Sequence, residues 1–310
     1  MENTRAKTTR NSLILLLTAT IWGMAFVSQS KGMDYMHPFT FNGVRSLIGA
    51  AGILVYILIS RKIAGDKAAK LDWKLNVRAG LLCGIFLTIA STLQQFGIKY
   101  TSVGKAGFIT TLYIIFVPMF GIFLKKKVAP VVWAAAGMAA VGMYLLCMTE
   151  SLRLGAGDIM VFLCAIAFAI QIMTVDHYAA RIDGAVVSCI QFTVCGVVCC
   201  IGALIWGQPT FGQLQEGMGA LLYAGVLSCG VGYTLQIVGQ KGLNPTVAAL
   251  IMSLESVIAT ISGWIAYKIG FLTTDQTLTA RQIAGCVIVF AAVILVQLPP
   301  EWFRFGKKNA

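Results

Sequence analysis

TLQQFGIKYTSVGKAGFITTLYIIFVPMFG, residues 92–121, and TLQIVGQKGLNPTVAALIMSLESVIATISG, residues 234–263, align without a gap at an offset of 142, with nine identities in thirty positions. Thr92-Leu93-Gln94 falls on Thr234-Leu235-Gln236, Gly97 on Gly239, Lys99 on Lys241, Ala106 on Ala248, Ile109 on Ile251, Leu112 on Leu254 and Gly121 on Gly263. A weaker offset of 146 sets Trp22 on Phe168 and Arg45 on Gln191. The chain therefore reads as two halves, 1–150 and 151–310, that share one architecture.

Composition says which architecture. Of 310 residues, 58% are hydrophobic and 12% charged, and the mean hydropathy is +0.81. Soluble globular chains carry roughly 25% charge, so a soluble fold is excluded. The apolar residues collect in runs at 12–29, 39–59, 79–98, 106–124, 128–148, 159–175, 186–206, 218–238, 246–267 and 283–298. Each run approaches the ~20 residues that cross ~30 Å of hydrocarbon, and lipid offers no partner to backbone N–H and C=O, so each is expected to be helical. The expected fold is an all-α polytopic membrane protein of ten transmembrane helices. The first run has the basic flank of a signal peptide, but it is long and lacks a small-x-small cleavage site, so it reads as a retained helix.

Five helices per half is an odd number, so the second half enters the membrane from the opposite side. Two inverted five-helix repeats allow one midplane site to open alternately to either face, the logic of many secondary transporters. The basic residues orient the chain. With both termini cytoplasmic, seventeen Lys and Arg lie inside and six outside, and Arg45 alone lies within a span. A multi-pass plasma-membrane protein follows as the expectation.

The net charge of +12 is thereby a matter of topology. No stretch interleaves aromatics with basic residues, so nucleic acid is not an expected partner. The nine cysteines all lie in apolar runs, there is no CxxC, and neither His37 nor His177 stands at ligand spacing from a cysteine. No metal, cofactor or disulfide framework is expected.

Polar residues within the runs are the candidate site. Glu255 is the tenth residue of the ninth run, where a carboxylate costs about 2.5–3.5 kcal/mol to insert. It is either tied to a neighbouring helix for packing, or it faces a cavity to bind a cation or exchange a proton. Arg45 either snorkels or forms an ion pair, or it anchors a carboxylate or phosphate with its fork of donors. A pairing of Arg45 with Glu255 in the empty state is also open. Gln94, Gln95, Gln171, Gln191, Gln236 and Gln240 are amides that lipid cannot satisfy, serving as interhelical links or as cavity lining. Among the aromatics, Trp22 and Tyr113 stand out, Trp22 as the counterpart of Phe168 and Tyr113 because the 142 offset sets it on Glu255. Asn244-Pro245 reads as an N-cap with a proline at the first helical position, and Pro118 as a point of interruption in the fourth run.

These features resemble the ten-helix EamA family of the drug/metabolite transporter superfamily over nearly the whole chain. The resemblance lies in the segment 16–26 with Trp22-Gly23, in Arg45, in Lys99-Tyr100-Thr101-Ser102-Val103-Gly104-Lys105-Ala106, in 244–249, and in Ser253-Leu254-Glu255-Ser256-Val257. Ser256 stands where the family commonly has proline. The resemblance implies a central cavity lined by spans one to four and six to nine, with five and ten peripheral, and transport of small metabolites such as amino acids.

The expectation is an exporter of small amphipathic metabolites, not an enzyme, with Glu255 handling positive charge or a proton, Arg45 an anionic group, and Gln94, Gln95, Gln236, Gln191, Trp22 and Tyr113 the rest of the solute. The rivals are a nucleotide-sugar or phosphate exchanger, which wants several cationic side chains in the cavity, and an intramembrane lipid-modifying enzyme, which wants clustered His, Asp or Cys. The lipid bilayer is the expected environment; the sequence sets no oligomeric state.

Overall fold

The computed structural model describes residues 2–65, 71–101, 103–124, 128–147, 155–272 and 277–297. The boundary at 150/151 and the basic residues Lys67, Lys70, Lys125, Lys126, Lys127, Arg153, Arg304, Lys307 and Lys308 lie outside them. Eight described helices are long and apolar enough to cross a membrane: α1 (Ala6–Gly32), α2 (Pro38–Ala64), α3 (Trp73–Tyr100), α4 (Ala106–Phe123), α6 (Ala156–Tyr178), α7 (Gly184–Gly207), α8 (Met218–Gln240) and α9 (Pro245–Lys268). Two shorter apolar helices, α5 (Pro130–Cys147) and α10 (Ala280–Gln297), complete the set.

Local chemistry sets many of the ends. Asp72 and Asp183 cap α3 and α7 by accepting from Leu75 N and from Ala185 and Val186 N. Asn244 accepts from Thr246 N ahead of Pro245, as its sequence suggests. A short helix, Phe211–Glu216, has no counterpart in the apolar runs; a Thr210/Gln213 capping box starts it in the α7–α8 connection.

The fourth run is interrupted, but not at Pro118. The break is a turn at Leu112, and Pro118 sits inside the helical segment Tyr113–Phe123. α9 breaks in the equivalent place: its first segment ends at Met252 and its second starts at Glu255, with Leu254 in the turn. Leu112 and Leu254 are 142 apart, so the discontinuity belongs to the repeat.

Packing carries the same symmetry. Cβ atoms on Gly97 and Gly239 would run into Val161 and the Gly157 carbonyl, and into Leu15 and the Asn11 carbonyl, respectively. Gly84 likewise meets Val194 and Gln191 where Gly225 meets Ile48 and Arg45. Each of the four partner pairs is 146 apart, the weaker sequence offset, while the glycines are 142 apart in one case and 141 in the other. One extra residue therefore lies between Gly225 and Gly239, and the π-helical run Tyr223–Gly232 holds it, since a π-turn is how a helix absorbs an insertion without losing register beyond it.

Contacts along the helices give their directions. Asn11 Nδ2 donates to the Lys241 carbonyl (2.8 Å), Lys241 Nζ to the Ile182 carbonyl (3.3 Å), and Asp183 N to Asn76 Oδ1 (2.9 Å), so the N-terminal ends of α1 and α3 lie together. Gln95 Nε2 donates to the Gln29 carbonyl (3.3 Å), joining their other ends. α3 meets the start of α6 at Gly97 and its end at Cys83, which packs with Val175 and Tyr178. α1 and α3 thus run one way and α6 the other.

Candidate functional site

At the centre α1, α2, α3, α4, α6, α8 and α9 enclose a narrow cavity. About 480 Å³ lies between its atoms, of which about 30 Å³ admits the centre of a water molecule. This is a contracted site, polar along much of its wall.

The two helix breaks build its middle. Tyr113 and Glu255 are the first residues after the turns at Leu112 and Leu254, and the Tyr113 hydroxyl donates to Glu255 Oε1 at 3.0 Å. Residues at one position of the repeat thus meet each other, and both side chains are buried. α1 reaches this point by backbone: a Cβ on Gly23 would sit 2.6 Å from Ile258 Cβ and 2.7 Å from the Glu255 carbonyl.

Arg45 does not snorkel, and it pairs with no acid among the described residues. It is 5% exposed, donates from Nε to Asn42 Oδ1 (3.0 Å), and lies over the Phe41 ring (5.5 Å). Its terminal nitrogens have no hydrogen-bond partner among the described residues. The suggested Arg45–Glu255 pair is absent among the described residues, because Asn42 and Tyr113 hold the two groups separately. Asn42 also donates to Ser91 Oγ (3.0 Å) and to Cys199 Sγ (3.3 Å), so the amide that orients Arg45 is itself fixed by α3 and α7.

Of the residues singled out from sequence, Trp22, Arg45, Gln94, Tyr113, Gln171, Gln236 and Glu255 line the cavity. Gln94 donates to Thr110 Oγ1 (3.2 Å), and Gln236 exchanges hydrogen bonds with Gln171 (3.2 and 3.4 Å). The Trp22 indole donates to the Ser228 carbonyl in the π-helical run (3.4 Å) and packs on Tyr233, with centroids 4.5 Å apart. Gln95 and Gln191 lie off the cavity. Gln95 links α3 to α1, and the buried Gln191 amide has no hydrogen-bond partner among the described residues. α7 contributes no lining residue; its Phe192 instead backs Tyr233.

Sequence reasoning passed over Gln29, Thr110 and Tyr233. Gln29 Oε1 is buried without a hydrogen-bond partner among the described residues, which leaves an acceptor at the cavity. A lone glutamine at the end of an apolar run was the available signal. Tyr233 offered another, standing directly before the repeated Thr234-Leu235-Gln236.

A polytopic helical bundle with an internal duplication and a contracted polar centre is the build of a membrane carrier. The EamA-like transporter family matches the chain twice, over residues 10–148 and 155–298, and the chain belongs to that family. An uncharacterized transporter of Archaeoglobus fulgidus is 27% identical over 92% of this chain and 84% of its own length. The Bacillus subtilis transporter YwfM, also uncharacterized, is 24% identical over 94% of each chain. A solved crystal structure superposes with a TM-score of 0.74 at 16% identity, covering 96% of this chain and 99% of its own, and shares the fold. The protein is a multi-pass membrane transporter.

Proposed function

We propose that the chain is a secondary transporter that exports small amphipathic, zwitterionic metabolites such as amino acids by alternating access. The observation that carries this reading is the Tyr113–Glu255 hydrogen bond, which joins equivalent positions of the two halves across a contracted polar cavity. In this scheme the chain crosses the plasma membrane ten times as two inverted five-helix repeats, 1–150 and 151–310, with both termini cytoplasmic. Breaking the bond lets the halves part at the turns of α4 and α9. By symmetry either end of the cavity opens with similar ease.

One cation and one acid line the cavity among the described residues, Arg45 and Glu255. That balance suits a zwitterion: the free guanidinium nitrogens take a carboxylate, Glu255 takes an ammonium group or a proton, and Gln29, Gln94 and Gln236 complete the hydrogen bonding. A nucleotide-sugar or phosphate carrier, the second reading, would bring two or more negative charges against a single arginine. Coupling to protons follows if Glu255 alternates between proton and substrate.

Counterflow in proteoliposomes across an amino-acid panel, with and without a pH gradient, tests the proposal. Glu255→Gln is expected to abolish the response to the gradient. A gradient response retained in that variant rejects the coupling role, and counterflow by phosphate esters in place of amino acids favours the second reading.

A further inference from the structure

A second concave feature lies on the outside of the bundle. Between α1, the start of α8 and the second segment of α9 runs a groove of about 1370 Å³. Its walls are apolar, from Met24 and Val27 on α1 to Ile258, Ile261 and Ile265 on α9, and several of these side chains are exposed. The stretch from Ile258 to Ile269 covers about 16 Å of helix, the depth of one bilayer leaflet. Gly219 opens the wall contributed by α8: a Cβ there would meet nothing within 4 Å. Charge appears at one end. Lys31 and Glu216 line the mouth, and Lys31 Nζ lies 3.0 Å from Asp34 Oδ2.

The groove has a partial counterpart in the first half. A smaller one on α3 is lined by Lys74, Val77, Arg78, Leu81 and Leu82. Adding 141, the offset that holds ahead of the π-helical run, sets Arg78 on Gly219 and Leu82 on Tyr223, both of which line the larger groove. The two sit at the N-terminal ends of α3 and α8, each apolar along its length and charged at its head. Their charges differ: Lys74 and Arg78 head one, while Glu216 and Lys31, the latter paired with Asp34, head the other.

We propose that the larger groove is a site for one phospholipid with a zwitterionic, primary-amine headgroup, of the phosphatidylethanolamine class. An acyl chain fills the apolar trench, the phosphate meets Lys31, and the headgroup ammonium donates to Glu216 and Asp34. A trimethylated choline has no N–H to donate and forfeits those bonds. An anionic headgroup meets two carboxylates. The proposal rests on the chain lying in a bilayer, not on what the central cavity carries; counterflow reports the cavity and lipid retention reports the groove, so the two fail separately.

The test reconstitutes the full chain into nanodiscs of equal parts phosphatidylethanolamine, phosphatidylcholine and phosphatidylglycerol, extracts it in mild detergent, and counts retained lipid by native mass spectrometry. The expected result is one retained ethanolamine lipid, favoured about tenfold over the other two. Gly219→Phe fills the trench and lowers retention about tenfold, while Gly212→Phe, equally open but outside the groove, keeps it. Lys31→Gln loses the headgroup preference. Equal retention of all three lipids by the wild type, or retention unaffected by Gly219→Phe, overturns the proposal.

Discussion

Tyr113 and Glu255 are the pair that sequence offset and structure both single out, and their bond is measurable. Removing the donor leaves a buried carboxyl oxygen without its partner, a loss of about 1–3 kcal/mol. Tyr113→Phe is therefore expected to lower the melting temperature in detergent. A double-mutant cycle with Glu255→Gln should return a coupling above about 0.5 kcal/mol; additive losses would show that the contact stabilises nothing. His37 offers a pH-dependent counterpart outside the spans. Its Nδ1 accepts from Phe39 N at the start of α2 (3.4 Å), and its pKa is lowered from 6.5, first by burial and then by repulsion from Lys99. Below its ordinary value the unfolded chain binds a proton that folded His37 resists, so stability falls with acidification from about pH 6.5 until the lowered value is passed. His37→Gln should flatten that decline in thermal melts between about pH 7.5 and 5. The candidate site was legible where it violated the cost of polarity in lipid, as at Glu255, Arg45 and the glutamines. Whether an amide faces the cavity or a neighbouring helix depends on rotation about the helix axis, and that separates Gln94 from its neighbour Gln95.

Helix positions were legible because hydrocarbon thickness fixes length, and the described helices overrun the apolar stretches at most ends, as at Ala156–Tyr178 against 159–175. Irregularities were not. The π-helical run in α8 shows in the sequence only as a change of offset from 141, where Ala79, Leu81 and Gly84 match Ala220, Leu222 and Gly225, to 142 beyond it, a shift that names no helix type, and the turns at Leu112 and Leu254 carry no proline at the break. Interhelical closeness is testable through glycine. Gly23 holds α1 against the backbone of α9 at Glu255, and an added methyl has no flexible neighbour to displace. Gly23→Ala should cost about 1–3 kcal/mol in stability, as overpacking does. Gly52 on α2 faces outward with open space, so Gly52→Ala is expected to be neutral, or stabilising by up to about 1 kcal/mol from helix propensity. Equal melting shifts in the two variants would mean that the α1–α9 contact is not tight.

The halves meet through pairs that map onto each other when the halves are exchanged. α2 packs along α7 in opposite directions, with Phe39 beside Gly202 and the Ala50 carbonyl accepting from Cys189, while α3–α6 mirrors α8–α1. Such a two-fold relation makes the centre common property of both halves, which is why residues 142 apart can bond there. It also commits the molecule to a topology: α1 and α6, equivalent by repeat, must leave the membrane on opposite sides. Asp34 follows α1 and Arg181 follows α6, and both are exposed. In a background whose native cysteines are changed to alanine, Asp34→Cys should label with a membrane-impermeant maleimide in intact cells. Arg181→Cys should label only after the membrane is opened. The reverse pattern would turn the whole bundle over and leave its logic intact. Labelling of both from one side would mean that the halves run the same way up, and a single cavity could then no longer be presented to either face by exchanging the roles of its two walls.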